Sequence, residues 1–243
     1  MHRFFVPDLR IQDRLATLSA PALVHQLHRV LRMRAGGKFA LFDGHEAVDH
    51  LMTIVEIDAL AVQVQLLESR PNLSESSRTI HLFQAIPKKP ALFDLILQKA
   101  TEIGVTHFYP LITERTENRK LSKLERRQAI VVEATEQCGR ARVPQIHSPI
   151  AFADAISHVG TQNFASLLGY EFAKGHSLLD LWPLIEKQRE IALFIGPEGG
   201  FTEKEIELAE QQQTKIFSLG KRILRVETAS IAALSLLLLS HLE

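Results

Sequence analysis

The segment from Ile191 to Glu205 constrains the fold of this chain more than any other part of the sequence. It opens with an apolar run, Ile191-Ala-Leu-Phe-Ile195, which is typical of a fully buried strand. The run ends at Gly196-Pro-Glu-Gly-Gly200, and Thr202 and Glu205 then have the spacing of a capping box, which predicts that a helix begins there. A strand, a glycine-rich turn and a helix in that order predict a small-molecule site at the carboxyl end of a sheet.

A second strand and glycine turn follow downstream. The pattern predicts a strand from Lys215 to Leu219, a loop from Gly220 to Thr228 and an apolar helix from there to the C-terminus. Neither loop has a phosphate-binding pattern, because G-x-x-x-x-G-K-[ST] and G-x-G-x-x-G with a later acidic residue are both absent. We therefore predict one pocket formed by both loops, while a simple tight turn is the alternative for the first loop taken alone.

The sequence before residue 68 has a different rhythm from the rest. Several short strand patterns, one predicted helix from Pro21 to Leu31 and a hairpin signal at Asp43-Gly44 predict a small β-barrel over residues 1–67. Residues 68–78 are polar and serine-rich, which predicts a linker. From 79 to 243 strand and helix patterns alternate, so we expect an α/β domain with a parallel sheet covered on both faces. The predicted strands there include 80–86, 107–112 and 164–169, and the predicted helices include 90–103, closed by Gly104, and 122–137.

Composition narrows the choice of partners and compartment. The 243 residues contain 28 Lys and Arg against 28 Asp and Glu, so nucleic-acid binding would depend on local patches of charge. Cys138 is the only cysteine, which excludes an internal disulfide and fits a reducing cytoplasm. No signal peptide is expected at the start, and the longest apolar stretch, Ala229 to Leu239, is too short to span a membrane. The scattered histidines have no metal-ligand spacing, so no metal site is predicted.

Two groups of basic residues are candidate RNA contacts. The first lies at the end of a predicted helix and in the turn behind it, where cations would contact a phosphate backbone or only favour the helix dipole. The second follows Gly139, where exposed guanidinium groups would clamp phosphates, although spacing alone leaves this open. The first group is Arg29, Arg32, Arg34 and Lys38, and the second is Arg140 and Arg142.

The two glycine loops also carry a resemblance. Gly196-Pro-Glu-Gly-Gly-Phe201 and the segment Ser218-Leu-Gly-Lys-Arg-Ile-Leu-Arg-Val-Glu-Thr-Ala229 closely resemble the signature of the RsmE family. Its members are bacterial methyltransferases that modify N3 of a uridine, U1498, in the 16S ribosomal RNA of the small subunit. This chain departs from the family pattern at Val226, where threonine is more frequent, and at Lys221, where proline is frequent. Further matching segments are His28–Met33, Gln98–Gly104 and Glu136–Pro144, which occur along the chain in the same order as in the family.

The resemblance implies a SPOUT-type fold with a C-terminal trefoil knot, a PUA-like first domain that helps to hold RNA, and a homodimer. It implies S-adenosylmethionine as the cofactor and the assembled small subunit as the substrate, with no metal and no membrane. We further hypothesise that Arg225 stabilises negative charge on the uracil oxygens and that Glu198 or a water takes the N3 proton. The cofactor residues that the resemblance implies are Leu168, Gly169, Ile195, Gly196, Pro197, Gly199, Gly200, Leu219, Gly220, Ile223 and Leu224.

Three competing functions remain open at this stage. A SPOUT methyltransferase could act on another RNA site, because the motifs define the cofactor pocket better than the target. A non-catalytic RNA-binding module is a second alternative, against which the two intact loops argue. A nucleotide-binding α/β protein is the third, and the missing lysine and acidic ribose partner count against it.

Overall fold

The structure, a computed structural model, describes residues 1–162, 164–173 and 175–239, and the chain divides into two compact units. The first unit contains residues 1–75 together with 135–143, and the second contains 76–134 and the residues from 144 onward. Two features differ from the boundaries expected from the sequence. The last strand of the first unit continues to Pro71, through the start of the predicted linker, and the segment 135–143 returns to the first unit.

The first unit contains a five-stranded sheet in the order β1-β3-β4-β5-β2. β1 and β3 are parallel, and the other neighbours are antiparallel. The predicted hairpin signal is confirmed, because Asp43 Oδ1 accepts hydrogen bonds from the N–H groups of His45 and Glu46 between β3 and β4. The strands are β1 (Arg3–Phe5), β2 (Leu15–Leu18), β3 (Lys38–Phe42), β4 (Val48–Ile57) and β5 (Val62–Pro71).

One helix packs on this sheet. α1 (Pro21–His25) continues into a π-helical turn over Gln26–Val30, so the predicted helix is present but its second half is wound more loosely. Leu27 and Val24 are buried in the same core as Phe39 of β3. The helix stops at Arg32, whose φ of 50° is left-handed and cannot continue it.

The second unit contains a parallel seven-stranded sheet, as the alternating pattern predicted. Its strand order is β12-β10-β11-β6-β7-β8, and the short strand β9 also pairs with β7. Every pair of strands in this sheet is parallel. The strands are β6 (Thr79–Ala85), β7 (His107–Ile112), β8 (Gln145–Ile146), β9 (Ile150–Ala151), β10 (Ala165–Gly169), β11 (Glu190–Ile195) and β12 (Lys215–Phe217).

Six helices begin in the second unit within the described residues, and the one that starts at Leu124 continues into the first unit at residue 135. The predicted end of the helix after β6 is confirmed, since Gly104 has a φ of 124° and its N–H donates to the carbonyl of Ala100. The predicted C-terminal helix ends at Leu238, and residues 240–243 lie outside the described residues. The helices are α2 (Pro90–Ile103), α3 (Leu124–Cys138), α4 (Phe152–Thr161), α5 (Trp182–Ile185), α6 (Glu203–Gln211) and α7 (Val226–Leu238).

The central strands of the sheet carry the core of the second unit. β6 is buried at every position after its first residue, which explains its near-continuous apolar sequence. Phe83 of β6 and Phe194 of β11 stack with ring centroids 4.4 Å apart, and Phe152 of α4 meets Phe194 edge to face. On α7, the buried Ser230 hydroxyl donates to Gln84 Oε1 of β6, which ties this helix to the centre of the sheet.

Candidate active site

A pocket lies where three neighbouring parallel strands end. Gly169, the last residue of β10, pairs with Ile195 at the end of β11 on one side and with Phe217 at the end of β12 on the other. Because parallel strands release their following loops at the same edge of a sheet, three loops meet there. Side chains and backbone of these loops and of the start of α7 line the pocket.

Most of the cofactor residues implied by the resemblance meet at this pocket. Three do not line it. Leu168 is fully buried in the core, Gly199 faces Arg115, and the side chain of Ile223 is 79% exposed. The residues that do line it are Gly169, Ile195, Gly196, Pro197, Gly200, Leu219, Gly220 and Leu224.

The first glycine loop, Gly196–Gly200 after β11, is a tight turn followed by the predicted capping box. The Gly200 N–H donates to Pro197 O at 2.9 Å, and Gly200 has a φ of 68°, a conformation that favours glycine. At the start of α6, the Thr202 side chain accepts from the Glu205 N–H while Glu205 Oε2 accepts from the Thr202 N–H. The capping box is therefore confirmed, and it anchors the carboxyl side of the turn.

The second glycine loop, which follows β12, is held by hydrogen bonds between Ser218 and Gly220. The Ser218 hydroxyl oxygen lies 3.1 Å from both the N–H and the carbonyl oxygen of Gly220. Gly220 has a φ of 108°, and a Cβ built on it would meet no atom within 4 Å. The backbone of this residue is therefore open toward a ligand. The loop ends at Arg225, which occupies the N-cap position of α7.

Neither proposed catalytic side chain is part of the pocket lining. Arg225 is exposed and directly follows the pocket residue Leu224. Glu198 is exposed in the first loop, and its Oε1 accepts a hydrogen bond of 3.0 Å from the Lys88 N–H in the loop after β6. Both residues lie in loops that line the pocket, on positions that solvent can reach.

Comparison with known proteins decides the family. The RNA methyltransferase domain model matches residues 74–238. The ribosomal RNA small subunit methyltransferase E of Synechocystis sp. is 36% identical over 236 residues, which cover 96% of this chain and 76% of that protein. Its counterpart in Rickettsia conorii is 33% identical, with 100% and 98% covered. This chain belongs to the RsmE family of RNA methyltransferases.

Solved structures agree with this assignment. The ribosomal RNA small subunit methyltransferase E from Neisseria gonorrhoeae, bound to S-adenosyl methionine, has a TM-score of 0.86 and 31% identity and covers 98% of this chain and 96% of its own. A putative methyltransferase from Legionella pneumophila, in complex with the same cofactor, has a TM-score of 0.82 and 31% identity, with 98% and 97% covered. The likeness extends over both units of this RsmE-family chain.

Several pocket residues were missed by the sequence reasoning. Tyr170 and Glu171 follow the end of β10, whereas Ser218 and Arg222 lie within the RsmE signature segment but were not assigned as cofactor residues. The two polar groups of opposite charge, Glu171 and Arg222, give the pocket a carboxylate and a guanidinium. Their place directly after a predicted parallel strand could have identified them, because residues at the carboxyl ends of such strands are candidates for a binding site.

Five of the six basic residues predicted to contact RNA are exposed, and one, Arg140, is buried. Arg29, Arg32, Arg34 and Lys38 are all exposed on the first unit, as RNA contacts must be. The expectation of an exposed Arg140 is wrong. Its side chain is 4% exposed, and its Nη2 lies 3.0 Å from Oε2 of Glu75, whose side chain is 8% exposed. The same carboxylate accepts from the N–H groups of Ala141 and Arg142, so it holds the returning segment in place, while the Arg142 side chain is exposed.

No metal site or membrane span was found in the parts of the chain that the structure describes. No group of three or more His, Cys, Asp or Glu side chains in residues 1–162, 164–173 and 175–239 is arranged to hold a metal ion. None of the helices among those residues is long and apolar enough to cross a bilayer.

Proposed function

We propose that this chain transfers a methyl group from S-adenosylmethionine to N3 of a uridine in 16S ribosomal RNA, the nucleotide U1498 of the family. The observation that carries the proposal is the pocket at the ends of β10, β11 and β12, which is formed by the same two glycine loops that carry the RsmE signature. The Neisseria gonorrhoeae relative has been crystallised with S-adenosyl methionine, and this protein and the Synechocystis relative are both named ribosomal RNA small subunit methyltransferase E.

The residues of the pocket fit this cofactor. Backbone groups of Leu219 and Leu224 are suited to recognise an adenine, and the exposed backbone at Gly220 allows close approach. A Cβ on Gly169 would lie 3.3 Å from Ile195 and 3.4 Å from the Phe217 ring, so a larger residue would narrow the pocket floor. When bound, S-adenosylmethionine supplies an electrophilic methyl group on a sulfonium, which requires neither a metal nor a phosphate clamp.

Positioning and electrostatics supply the catalysis in this proposal. N3 of uracil carries a proton at neutral pH, and its loss places negative charge on the neighbouring oxygens. Arg225 stands immediately beyond Leu224, where its guanidinium would stabilise that charge. Glu198 or a water accepts the proton. A properly oriented uracil then needs little further chemistry from the protein.

The first unit is proposed to hold the RNA. We propose that it is PUA-like and that its exposed Arg29, Arg32, Arg34 and Lys38 contact phosphates and orient the substrate without reading sequence. Arg142 remains a proposed RNA contact. The buried Arg140 is not one, because its guanidinium pairs with Glu75 inside the first unit. The proposal also includes a trefoil knot in the second unit, a homodimer, a cytoplasmic location and the assembled small subunit as substrate.

The decisive experiment is transfer of labelled methyl from S-adenosylmethionine to small ribosomal subunits that lack the modification, followed by mass mapping of the RNA. We expect a single N3-methyluridine in 16S RNA. Label at another nucleotide would keep the enzyme class and refute the target. An absence of transfer, from protein that binds the cofactor, would favour a non-catalytic RNA-binding role. Naked 16S RNA in a parallel reaction separates the assembled subunit from free RNA as the substrate.

A further inference from the structure

A loop outside the pocket lies against the first glycine turn. This loop follows β7, and its Arg115 Nη1 donates to Gly199 O at 2.6 Å and reaches Phe201 O at 3.4 Å. The aliphatic part of Arg115 also covers Gly199, since a Cβ built there would lie 3.3 Å from Arg115 Cδ. A charged donor on a backbone carbonyl makes a short and comparatively strong hydrogen bond.

Arg115 itself is attached to a fixed backbone. The N–H of the preceding residue, Glu114, donates to Oε1 of Glu205, which closes the capping box of α6. The buried Thr113 and Thr116, which flank Glu114 and Arg115, bond to each other, and Thr116 Oγ1 accepts from the Thr113 N–H at 2.9 Å. The guanidinium therefore approaches the turn from a rigid base.

The bond from Arg115 determines the orientation of one peptide unit of the turn. The carbonyl of Gly199 and the N–H of Gly200 belong to the same planar trans peptide and point in opposite directions. Arg115 holds the carbonyl, and Pro197 O accepts from the N–H. Glycine adopts either sign of φ at similar cost, so a Gly-Gly peptide without such anchors would flip readily.

We propose that Arg115 is a positioning residue that preorganises the turn Gly196–Gly200 for S-adenosylmethionine. It does not line the pocket and acts through Gly199 on Gly200, which does. Holding the bound conformation in advance lowers the entropic cost of binding, so the residue contributes to cofactor affinity. The inference rests on the proposed function, because it assigns the cofactor to this pocket.

The test compares three variants of the full chain: Arg115→Ala, Arg115→Lys and Arg126→Ala. Arg126 is the matched control, an exposed guanidinium on α3 that pairs with Asp94. S-adenosylmethionine affinity is measured by isothermal titration calorimetry, and KM and kcat by methyl transfer to small subunits. We expect Arg115→Ala to raise Kd and KM for the cofactor about tenfold, the effect of one lost charged hydrogen bond, with kcat at saturating cofactor retained.

The conservative variant separates this role from a general loss of structure. Lysine can donate to the same carbonyl, so Arg115→Lys should recover most of the affinity, and Arg126→Ala should bind as wild type does. An unchanged Kd in Arg115→Ala overturns the inference. So does a fall in kcat at unchanged KM, because it would place Arg115 at the reacting atoms. Wild-type protein that fails to bind the cofactor would instead refute the proposed function.

Discussion

The carboxylate of Glu171 lies against Gly200, so closely that a Cβ on Gly200 would come within 2.4 Å of Glu171 Oε1. Glu171 follows β10 and Gly200 closes the turn after β11, so the contact joins two of the loops that line the pocket. The left-handed φ of 68° at Gly200 favours glycine, and a side chain there would displace the Glu171 carboxylate. Glycine at this position thus serves the turn and the pocket together.

Gly200→Ala is expected to weaken S-adenosylmethionine binding at least about fivefold, because the left-handed conformation costs an alanine about 1 kcal/mol or more. The added methyl also displaces the Glu171 carboxylate from the pocket wall. Gly36→Ala is the control, since Gly36 has a φ of 83° but no atom within 4 Å of a built Cβ. Calorimetric titration should show wild-type affinity for Gly36→Ala, and equal affinities for both variants would contradict the prediction.

Arg225→Ala is expected to lower kcat about a hundredfold while the Kd for S-adenosylmethionine changes little, the pattern of a lost transition-state contact. Arg222→Ala is the matched comparison, because Arg222 lines the pocket and should affect cofactor affinity instead. Steady-state methyl transfer and calorimetry together measure the two effects. Equal losses of turnover and affinity in Arg225→Ala would exclude the catalytic role.

Glu75→Gln is expected to destabilise the first unit by about 3 kcal/mol, because it removes the ionised partner of a buried guanidinium. The side chains of Arg140 and Glu75 are only 4% and 8% exposed. Urea unfolding followed by circular dichroism measures the change. Glu117→Gln, which breaks the exposed pair with Lys88, should leave the unfolding curve unchanged. A similar response of the two variants would mean that the buried pair does not stabilise the returning segment.

The protein is expected to lose stability between pH 6.5 and about pH 4 because of stacked histidines near the amino ends of β6 and β7. His81 and His107 stack with ring centroids 4.7 Å apart, and His107 Nδ1 lies 3.2 Å from His147 Nε2. Burial, together with the charges of His81 and His147, lowers the pKa of His107 from 6.5 to about 4. Burial also lowers the pKa of His81 and His147. For His81 the carboxylate of Glu190 raises the pKa, but the effect of burial is larger.

The sign follows from proton uptake. Above pH 6.5 these imidazoles are neutral in both states, whereas below it the unfolded chain binds protons that the folded protein does not. The free energy of unfolding should therefore fall by roughly 2 kcal/mol for His107 as the pH is lowered to about 4, less than the full shift corresponds to because solvent screens the partly exposed ring. Thermal unfolding at several pH values measures this. His107→Phe keeps the ring stack and removes the titrating group, so its curve should be flatter, and an unchanged slope would contradict the assignment.

The double variant Arg29→Ala with Arg32→Ala is expected to weaken binding to small subunits and leave S-adenosylmethionine affinity unchanged. Each lost phosphate contact should reduce the slope of log K against log salt by about 0.7 to 0.9. Binding isotherms at several salt concentrations provide the slope. Arg10→Ala, an exposed cation of the same unit outside the cluster, serves as the control. A slope equal to that of the control would show that the cluster does not contact phosphates.

Local patterns were sufficient for much of this fold. β7 begins and ends at the predicted residues, and α2 ends at Gly104 as its left-handed glycine required. The capping box at Thr202 predicted the start of α6. Each of these features depends on residues close together in the chain, so their spacing contains the necessary information. The glycine loops, and with them the family, were recognisable for the same reason.

Other elements and contacts depended on residues far apart in the chain. The short strand β2 was missed because four residues carry too little periodicity to identify a strand. The helix α4 was also missed, although its buried Phe152, Ala155, Ile156 and Val159 recur at helical spacing. The pairing of Arg140 with Glu75 reversed the exposure expected from a glycine-arginine segment. Sequence spacing is silent on such pairs, because burial and partner choice arise only when distant segments pack together.

The sequence by itself determined the alternation of strands and helices in the second unit, the two glycine loops and the membership in a methyltransferase family. The tertiary structure decided which residues share the pocket and what holds it. It aligned the ends of β10, β11 and β12, brought Glu171 to Gly200 and placed Arg115 on Gly199. The physical reason is that backbone conformation responds to neighbours in the chain, whereas a binding site is formed by strand register and packing between loops that are remote in sequence.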